Sequence, residues 1–448
     1  MNLVSAVVDE GLGNSSYLVD LGDGRALVID PSRHPGPYLE RAEKRGLTVA
    51  FTAETHLHAD FVSGSRELAA LGARVLAPAA AALEFPAAGL ADGDTLDLGG
   101  LTLEALATPG HTPEHLSYLL RDGRRPLALF SGGSLLVGGV ARTDLISGAQ
   151  TEDLARRLWH SLQSRILSLP DDLPVYPTHG AGSFCSAPAG ADRVTSIGAE
   201  RRSNPWLAVG GEDEFVDRLL AGSGSYPPYF LRLRDVNRRG PHVFGPGPPA
   251  LPELTPQEVT HVRELGGWVV DVRPVGEFAL AHLDGSVSIS LRDAFATWLG
   301  WLVPPDVPLV FVVDREQDRD RLVREARKVG YEQLAGEVAG GIGDWISSGG
   351  PVSSFELAPA GEADGVIVDV RQRSEFDAGH VPGAVNVELG SVATAPLPDC
   401  HLSVMCAHGE RAMSAASVLA RRGWLDLRVL AGGAADWAAA HEARLATA

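Results

Sequence analysis

The residues best suited to chemistry fall into two groups near opposite ends of the chain. Toward the C-terminus, Cys406-Ala-His408-Gly409-Glu410-Arg411 follows a short apolar run, Leu402-Ser-Val-Met405, and precedes apolar residues at 412, 415, 416 and 419 with helical spacing. Basic residues Arg421-Arg422 and then Gly423 mark the end of that helix. The cysteine therefore sits where a strand ends and a tight loop feeds a helix N-terminus. Unpaired backbone N–H groups and the helix dipole favour an anion there, which lowers a thiol pKa from about 8.5 and suits a persulfide terminus equally well. Gly409 lets the loop close around the sulfur, Arg411 adds positive charge, and His408 completes the candidate catalytic set.

In the first half, Thr55-His56-Leu57-His58-Ala59-Asp60 follows the apolar run Leu47–Thr52. If that segment is extended, His56, His58 and Asp60 project to one side and can face a common metal. Thr108-Pro-Gly-His111 and Tyr176-Pro-Thr-His179 are turns that present two more histidines. A lone histidine is usually an ordinary surface or core residue, but four in these contexts read as a metal site.

Two stretches share one phrase. Asp271-Val-Arg273, Glu277-Phe278, His282 and Gly285 recur as Asp369-Val-Arg371, Glu375-Phe376, His380 and Gly383, 98 residues later. Further on, Gly341–Trp345 matches Gly433–Trp437 at an offset of 92, which places Asp314 opposite Cys406, Gln317 opposite Gly409 and Arg319 opposite Arg411. A unit of this length fits a duplicated small domain rather than a solenoid repeat. The first copy has neither the thiol nor the loop glycine, so it reads as a spacer or docking surface. Asp369 and Arg371, present in both copies as a pair, are expected to support the loop rather than to react.

The elements that must position these groups alternate between short strands and helices, the signature of α/β domains with parallel sheets in the second half. At 448 residues the chain should form two to four domains. The net charge of −19, from 38 basic and 57 acidic residues, argues against a nucleic-acid or anionic-membrane surface but leaves room for a local basic pocket. Cys185, Cys400 and Cys406 stand at unrelated spacings, which implies no disulfide framework and no cysteine-rich zinc site. The N-terminal residues lack a basic segment followed by an apolar core, and no run approaches a membrane span, so a cytoplasmic location is expected.

The Cys-x-x-Gly-x-Arg loop, with the upstream Asp-Val-Arg and Glu375-Phe376-x-x-Gly379-His380-x-Pro382-Gly383-Ala384-x-Asn386, resembles a rhodanese domain. That resemblance implies a sulfurtransferase carrying sulfane sulfur as a persulfide on Cys406. The histidine motifs of residues 1 to 230, with Thr195–Pro205 and Tyr226–Phe230, resemble the metallo-β-lactamase superfamily, an αββα sandwich, and within it the glyoxalase II-like persulfide dioxygenases. The family oxidises a low-molecular-weight thiol persulfide, such as glutathione persulfide, at Fe(II). By resemblance, His56 and His111 are ligands, while Gly133 stands where the family's aspartate ligand belongs. His58, Asp60 and His179 are then outer supports or alternative ligands. On this footing Gly133→Asp should raise iron occupancy. Phe61 replaces a second-metal histidine, which makes a two-zinc hydrolase and zinc itself the lesser alternatives.

The expected architecture is thus an αββα domain over 1–230, a Gly/Pro-rich linker over 231–252, a cysteine-less rhodanese-like domain over 253–350 and a rhodanese domain over 351–448. The expected activity is sulfur transfer through Cys406 in persulfide and sulfide metabolism. The alternatives are a bifunctional dioxygenase–sulfurtransferase and a non-enzymatic scaffold. The expected small-molecule partners are a thiol persulfide and thiosulfate; nucleic acid and membrane are not expected, and a homo-oligomer is left open.

Overall fold

Six of the seven residues of the strand Asn14–Asp20 are buried, because both of its faces are covered. Tyr17 and Val19 face a core shared with Leu103, Tyr118, Leu120 and Phe130 of a second sheet. Leu18, with Ala26 and Val28 of the next strand, turns the other way and packs under the helix Gly36–Lys44 through Tyr38 and Ala42. The second sheet does the same: Leu119, Leu129 and Val175 face the helices Thr151–Ser161 and Glu212–Ala221. Side chains alternate along a strand, so strands apolar on both faces stack as two inner sheets between two helical layers. The result is the αββα sandwich expected from the sequence. The computed structural model describes residues 3–185, 192–247 and 251–447. It divides into one unit of residues 1–249 with 327–330, and another of 250–326 and 331–448.

In the first unit, one sheet runs in the order Val4–Asp9, Asn14–Asp20, Arg25–Ile29, Thr48–Ala53, Arg74–Pro78, Ala88–Leu90. The other runs Thr195–Ser196, Pro174–Pro177, Arg125–Gly132, Leu116–Asp122, Leu101–Ala107, Thr95–Asp97. Leu101–Ala107 and Arg125–Gly132 are both antiparallel to Leu116–Asp122, and Pro174–Pro177 is parallel to Arg125–Gly132. The loops carrying His111, Gly133 and His179 therefore leave one and the same edge of this sheet, and the loop carrying His56 joins them from the end of Thr48–Ala53 in the other sheet. His115 stands at that edge too, immediately before Leu116.

Residues expected to form a linker from Leu231 onward instead open with the helix Phe230–Arg239. Its buried Phe230 and Leu233 anchor it, and its buried Asn237 clasps the histidine loop by donating to the carbonyls of His58 and Phe61 at 2.8 and 2.9 Å and accepting from Ser63 N–H at 2.8 Å. The Gly/Pro stretch beyond it includes residues 248–250, which lie outside the described residues.

The second unit holds two five-stranded parallel sheets of identical order. The first runs Glu253–Leu254, Leu334–Val338, Leu309–Val312, Trp268–Asp271, Val287–Ser288; the second runs Leu357–Pro359, Leu427–Ala431, Leu402–Met405, Val366–Asp369, Val385–Asn386. The sequence repeat is thus a repeat of topology, as expected for two rhodanese-like domains. Among the described residues no helix is long and apolar enough to cross a membrane.

Candidate functional site

Cys406 follows Leu402–Met405 at the carboxyl end of a central parallel strand, where ligand sites of open α/β sheets form. The thiol is 2% exposed, and Gly409 N–H donates to Sγ at 3.1 Å. Gly409 is also the residue that caps the helix Glu410–Arg421, at φ +90°, a left-handed conformation that side chains other than glycine adopt only with strain. Turning the chain there points the helix N-terminus at the sulfur. Arg411 is pinned by two bonds to Glu375, at 2.6 and 2.8 Å. Burial would raise the Glu375 carboxyl, but the Arg411 guanidinium overrides it and holds the group below its ordinary value. Much of the charge expected of Arg411 is therefore spent on Glu375. His408 is exposed at the loop tip.

The shared phrase is a brace. Arg371 grips Asp369 through Nε and Nη2 at 3.0 and 2.6 Å and donates to Gly379 O at 2.8 Å; Arg273 grips Asp271 at 2.9 and 2.7 Å and donates to Ala281 O at 2.8 Å. His380 stacks on Phe376 at 3.7 Å, as His282 does on Phe278 at 4.0 Å. These residues hold the loops of both copies in the same frame, with or without a thiol.

In the first copy that frame carries a closed loop. Val312 pairs with Asp271 as Met405 pairs with Asp369, so strand register places Val313 opposite Cys406, not Asp314 as the later sequence offset suggests. The first copy has one extra residue between this strand and the later match at Gly341–Trp345. Gln317 bridges Asp314 N–H and Val272 O at 2.9 and 2.7 Å, and Arg319 Nη1 donates to the loop's own Gln317 carbonyl at 2.7 Å. Side chains of the loop thus occupy its own polar groups.

In the first unit His56, His111 and His179 converge, with one ligand atom from each lying within 4.8 Å of the others. Each ring is held by its other nitrogen. Thr55 Oγ1 donates to Asp30 at 2.8 Å and so accepts from His56 Nδ1–H at 2.8 Å. His111 Nδ1–H donates to Arg142 O at 2.7 Å, and His179 Nδ1–H donates to Asn14 Oδ1 at 3.0 Å, with Asp60 Oδ2 at 3.3 Å beside it. These partners fix the tautomers and leave the Nε2 atoms as lone pairs. Burial also pushes His56 and His111 well below the ordinary imidazole range, toward the neutral form that binds metal. His56 Nε2 and His179 Nε2 face each other at 3.3 Å, and two opposed lone pairs at that separation call for a cation between or beside them. The donors present therefore fit a divalent metal held by three histidines, each oriented by a second partner.

His58 and Asp60 do reach a common metal position, their ligand atoms lying with one of His179 within 4.8 Å of one another, but they reach it from a loop. Residues 54–61 form a loop and not a strand, so alternation does not apply. His58 Nε2 lies 3.2 Å from Asp30 and 3.1 Å from Glu54. Burial alone would lower this imidazole, but the two carboxylates raise it to about 10. Asp60 accepts from Asn14 Nδ2 at 2.7 Å and backs His179.

His115 is the residue that sequence reading passed over. It is buried, its Nδ1 meets Thr108 Oγ1 at 2.8 Å, and its Nε2 accepts from Gly133 N–H at 2.9 Å. Burial lowers it to about 4, which keeps it a neutral acceptor. Its signal was Thr112-Pro-Glu-His115, four residues beyond His111 in the same turn. The ring also explains the glycines at the missing-carboxylate position: a Cβ on Gly132 would stand 2.5 Å from His115 Nε2, and one on Gly133 would stand 2.4 Å from His111 Cδ2. A side chain at 133 displaces a ligand before it can add one, which reverses the expectation for Gly133→Asp. That variant is expected to bind metal no better than the natural chain in anaerobic Fe(II) titration; a clear gain in occupancy would show that His111 yields.

Residues 9–179 match the metallo-beta-lactamase superfamily, and residues 255–348 and 356–440 each match the rhodanese-like domain. The mitochondrial persulfide dioxygenase ETHE1 of Homo sapiens is 32% identical over 209 residues, spanning 45% of this chain and 74% of that protein. A hydroxyacylglutathione hydrolase of Synechococcus sp. is 35% identical over 169 residues, 36% of this chain and 62% of that one. Among solved structures, a metallo-beta-lactamase from Staphylococcus aureus subsp. aureus COL aligns with a TM-score of 0.64 and 29% identity over 75% of this chain and 98% of its own. A sandwich with its histidines at one edge, followed by a cysteine-less and a thiol-bearing parallel sheet, accounts for these matches along the chain, which belongs to the ETHE1-like persulfide dioxygenase family of the metallo-beta-lactamase superfamily and carries two rhodanese-like domains after it.

Proposed function

We propose that this chain is a sulfurtransferase of persulfide and sulfide metabolism that moves sulfane sulfur through Cys406. The observation that carries the reading is the Gly409 N–H directed at Cys406 Sγ from the start of a helix. The Cys406 thiolate attacks the outer sulfur of thiosulfate, the S–S bond breaks, and sulfite leaves with the bonding electron pair. The loop amide and the helix N-terminus stabilise the anionic terminal sulfur of the resulting persulfide. An acceptor nucleophile, a thiolate or cyanide, then takes that sulfur and returns the Cys406 thiolate. A low-molecular-weight thiol persulfide, glutathione persulfide or an analogue, serves as donor by the same exchange. Peptide mass spectrometry after exposure to thiosulfate tests this: one added sulfur is expected on the Cys406 peptide and none on those of Cys185 and Cys400. An unmodified Cys406 would contradict it.

A second activity, persulfide oxidation in the N-terminal unit, is favoured by the convergence of His56, His111 and His179. Fe(II) is the metal that the persulfide dioxygenase likeness suggests, and when bound it supplies a redox-capable centre for a persulfide and O₂. The chain's contribution is to hold three imidazoles by their Nδ1 atoms through Thr55, the Arg142 carbonyl and Asn14, and to set His58 between Asp30 and Glu54. Glutathione-persulfide-dependent O₂ uptake by the Fe(II)-loaded chain is the expected result; no uptake would confine the chemistry to Cys406.

A further inference from the structure

The Glu410–Arg421 helix is buried over eight consecutive residues, Ala412 to Leu419, more than one sheet can cover. Its own strands Leu402–Met405 and Leu427–Ala431 cover one side. The other side is covered by Val287–Ser288, the edge strand of the cysteine-less copy. Ser414 Oγ donates to Ser288 O at 2.6 Å, and Ser288 N–H donates to Ser417 Oγ at 3.1 Å. Trp301 of the same copy lies flat enough on Gly390 that a Cβ there would overlap its ring. At the loop end of the helix, the guanidinium of Arg292 stands 2.7 Å from the carboxylate of Glu410.

The last contact bears on the thiol. Glu410 is the first residue of the helix, next to the glycine that bonds Sγ. Glu375 and Arg411, which also face this loop, are paired with each other, as are Asp369 and Arg371. An unpaired carboxylate at 410 would repel an anionic sulfur donor approaching Cys406, and most strongly a dianion. We propose that Arg292, supplied by the copy that has no cysteine, offsets the Glu410 charge and thereby sets the affinity of the Cys406 loop for doubly charged donors such as thiosulfate. The silent copy thus supplies part of the charge environment of the active one. This assignment rests on the sulfur-transfer reading above, and Arg292 is a specificity-determining residue, not a reacting one.

The test uses the full chain and the variants Arg292→Ala, Glu410→Gln and both together, with cyanide as acceptor and either thiosulfate or a monoanionic arenethiosulfonate as donor. Arg292→Ala is expected to raise the thiosulfate KM about three- to fivefold at low ionic strength, the range of a half-exposed ion pair, with kcat within about twofold. The rise should be smaller for the monoanion and should fade at high salt. Adding Glu410→Gln should restore the thiosulfate KM, an outcome that a lost structural clamp would not give. An unchanged KM in Arg292→Ala, or a raised KM that persists in the double variant, overturns the assignment. Absence of turnover by the natural chain itself would overturn the sulfur-transfer reading instead.

Discussion

Replacing Cys406 by serine lowers thiosulfate-dependent sulfur transfer by about 10³-fold or more, because a hydroxyl is neither ionised near neutral pH nor able to form the sulfur–sulfur bond. The fold should tolerate the change: the side chain is buried, and serine Oγ can still accept from Gly409 N–H. The first copy offers no substitute, since Val313 occupies the register of the thiol and Gln317 and Arg319 close the loop on itself. Steady-state transfer from thiosulfate to cyanide is the measurement; a variant that retains the natural rate would remove Cys406 from the reaction.

The second large effect is on metal. His179→Ala is expected to weaken Fe(II) or Co(II) binding by at least about 100-fold, more than the loss of an outer partner costs a metal site. Anaerobic titration followed by elemental analysis reads the stoichiometry, and Co(II) absorption reads the coordination. Binding equal to that of the natural chain would mean that His179 is an outer support and that another group completes the set. With no carboxylate at Gly133, His179 is the described residue whose ligand atom groups with those of both His56 and His111, and Asn14 and Asp60 aim it there. His58 lies instead between Asp30 and Glu54.

Much of this was legible in the residues. Short apolar runs marked strands, the resemblance of the histidine motifs implied the layered sandwich, and the repeated Asp-Val-Arg phrase announced two domains of one kind, because a buried Asp–Arg brace is needed wherever that loop is built. The thiol loop was legible because strand, glycine and helix are contiguous. The metal centre was harder, since its ligands come from three separate strand ends and their roles depend on which nitrogen each partner claims. Spacing could not show that His58 turns to Asp30, 28 residues earlier, or that His115 fills the space beside Gly133. The helix Phe230–Arg239 was hidden by its arginines, which give it a polar outer face; its few buried residues do their work on the histidine loop. Arg292 and Glu410 meet only because the edge strand of one copy packs on the helix of the other.

The central claim is that Cys406 accepts sulfane sulfur before any acceptor arrives. Rapid mixing of the metal-free chain with excess thiosulfate, in the absence of cyanide or thiol, tests it through the sulfite released. The account predicts a burst of about one sulfite per chain, the kinetic mark of a covalent intermediate, followed by a near-flat phase. Sulfite that appears only after an acceptor is added, with no burst, would contradict it.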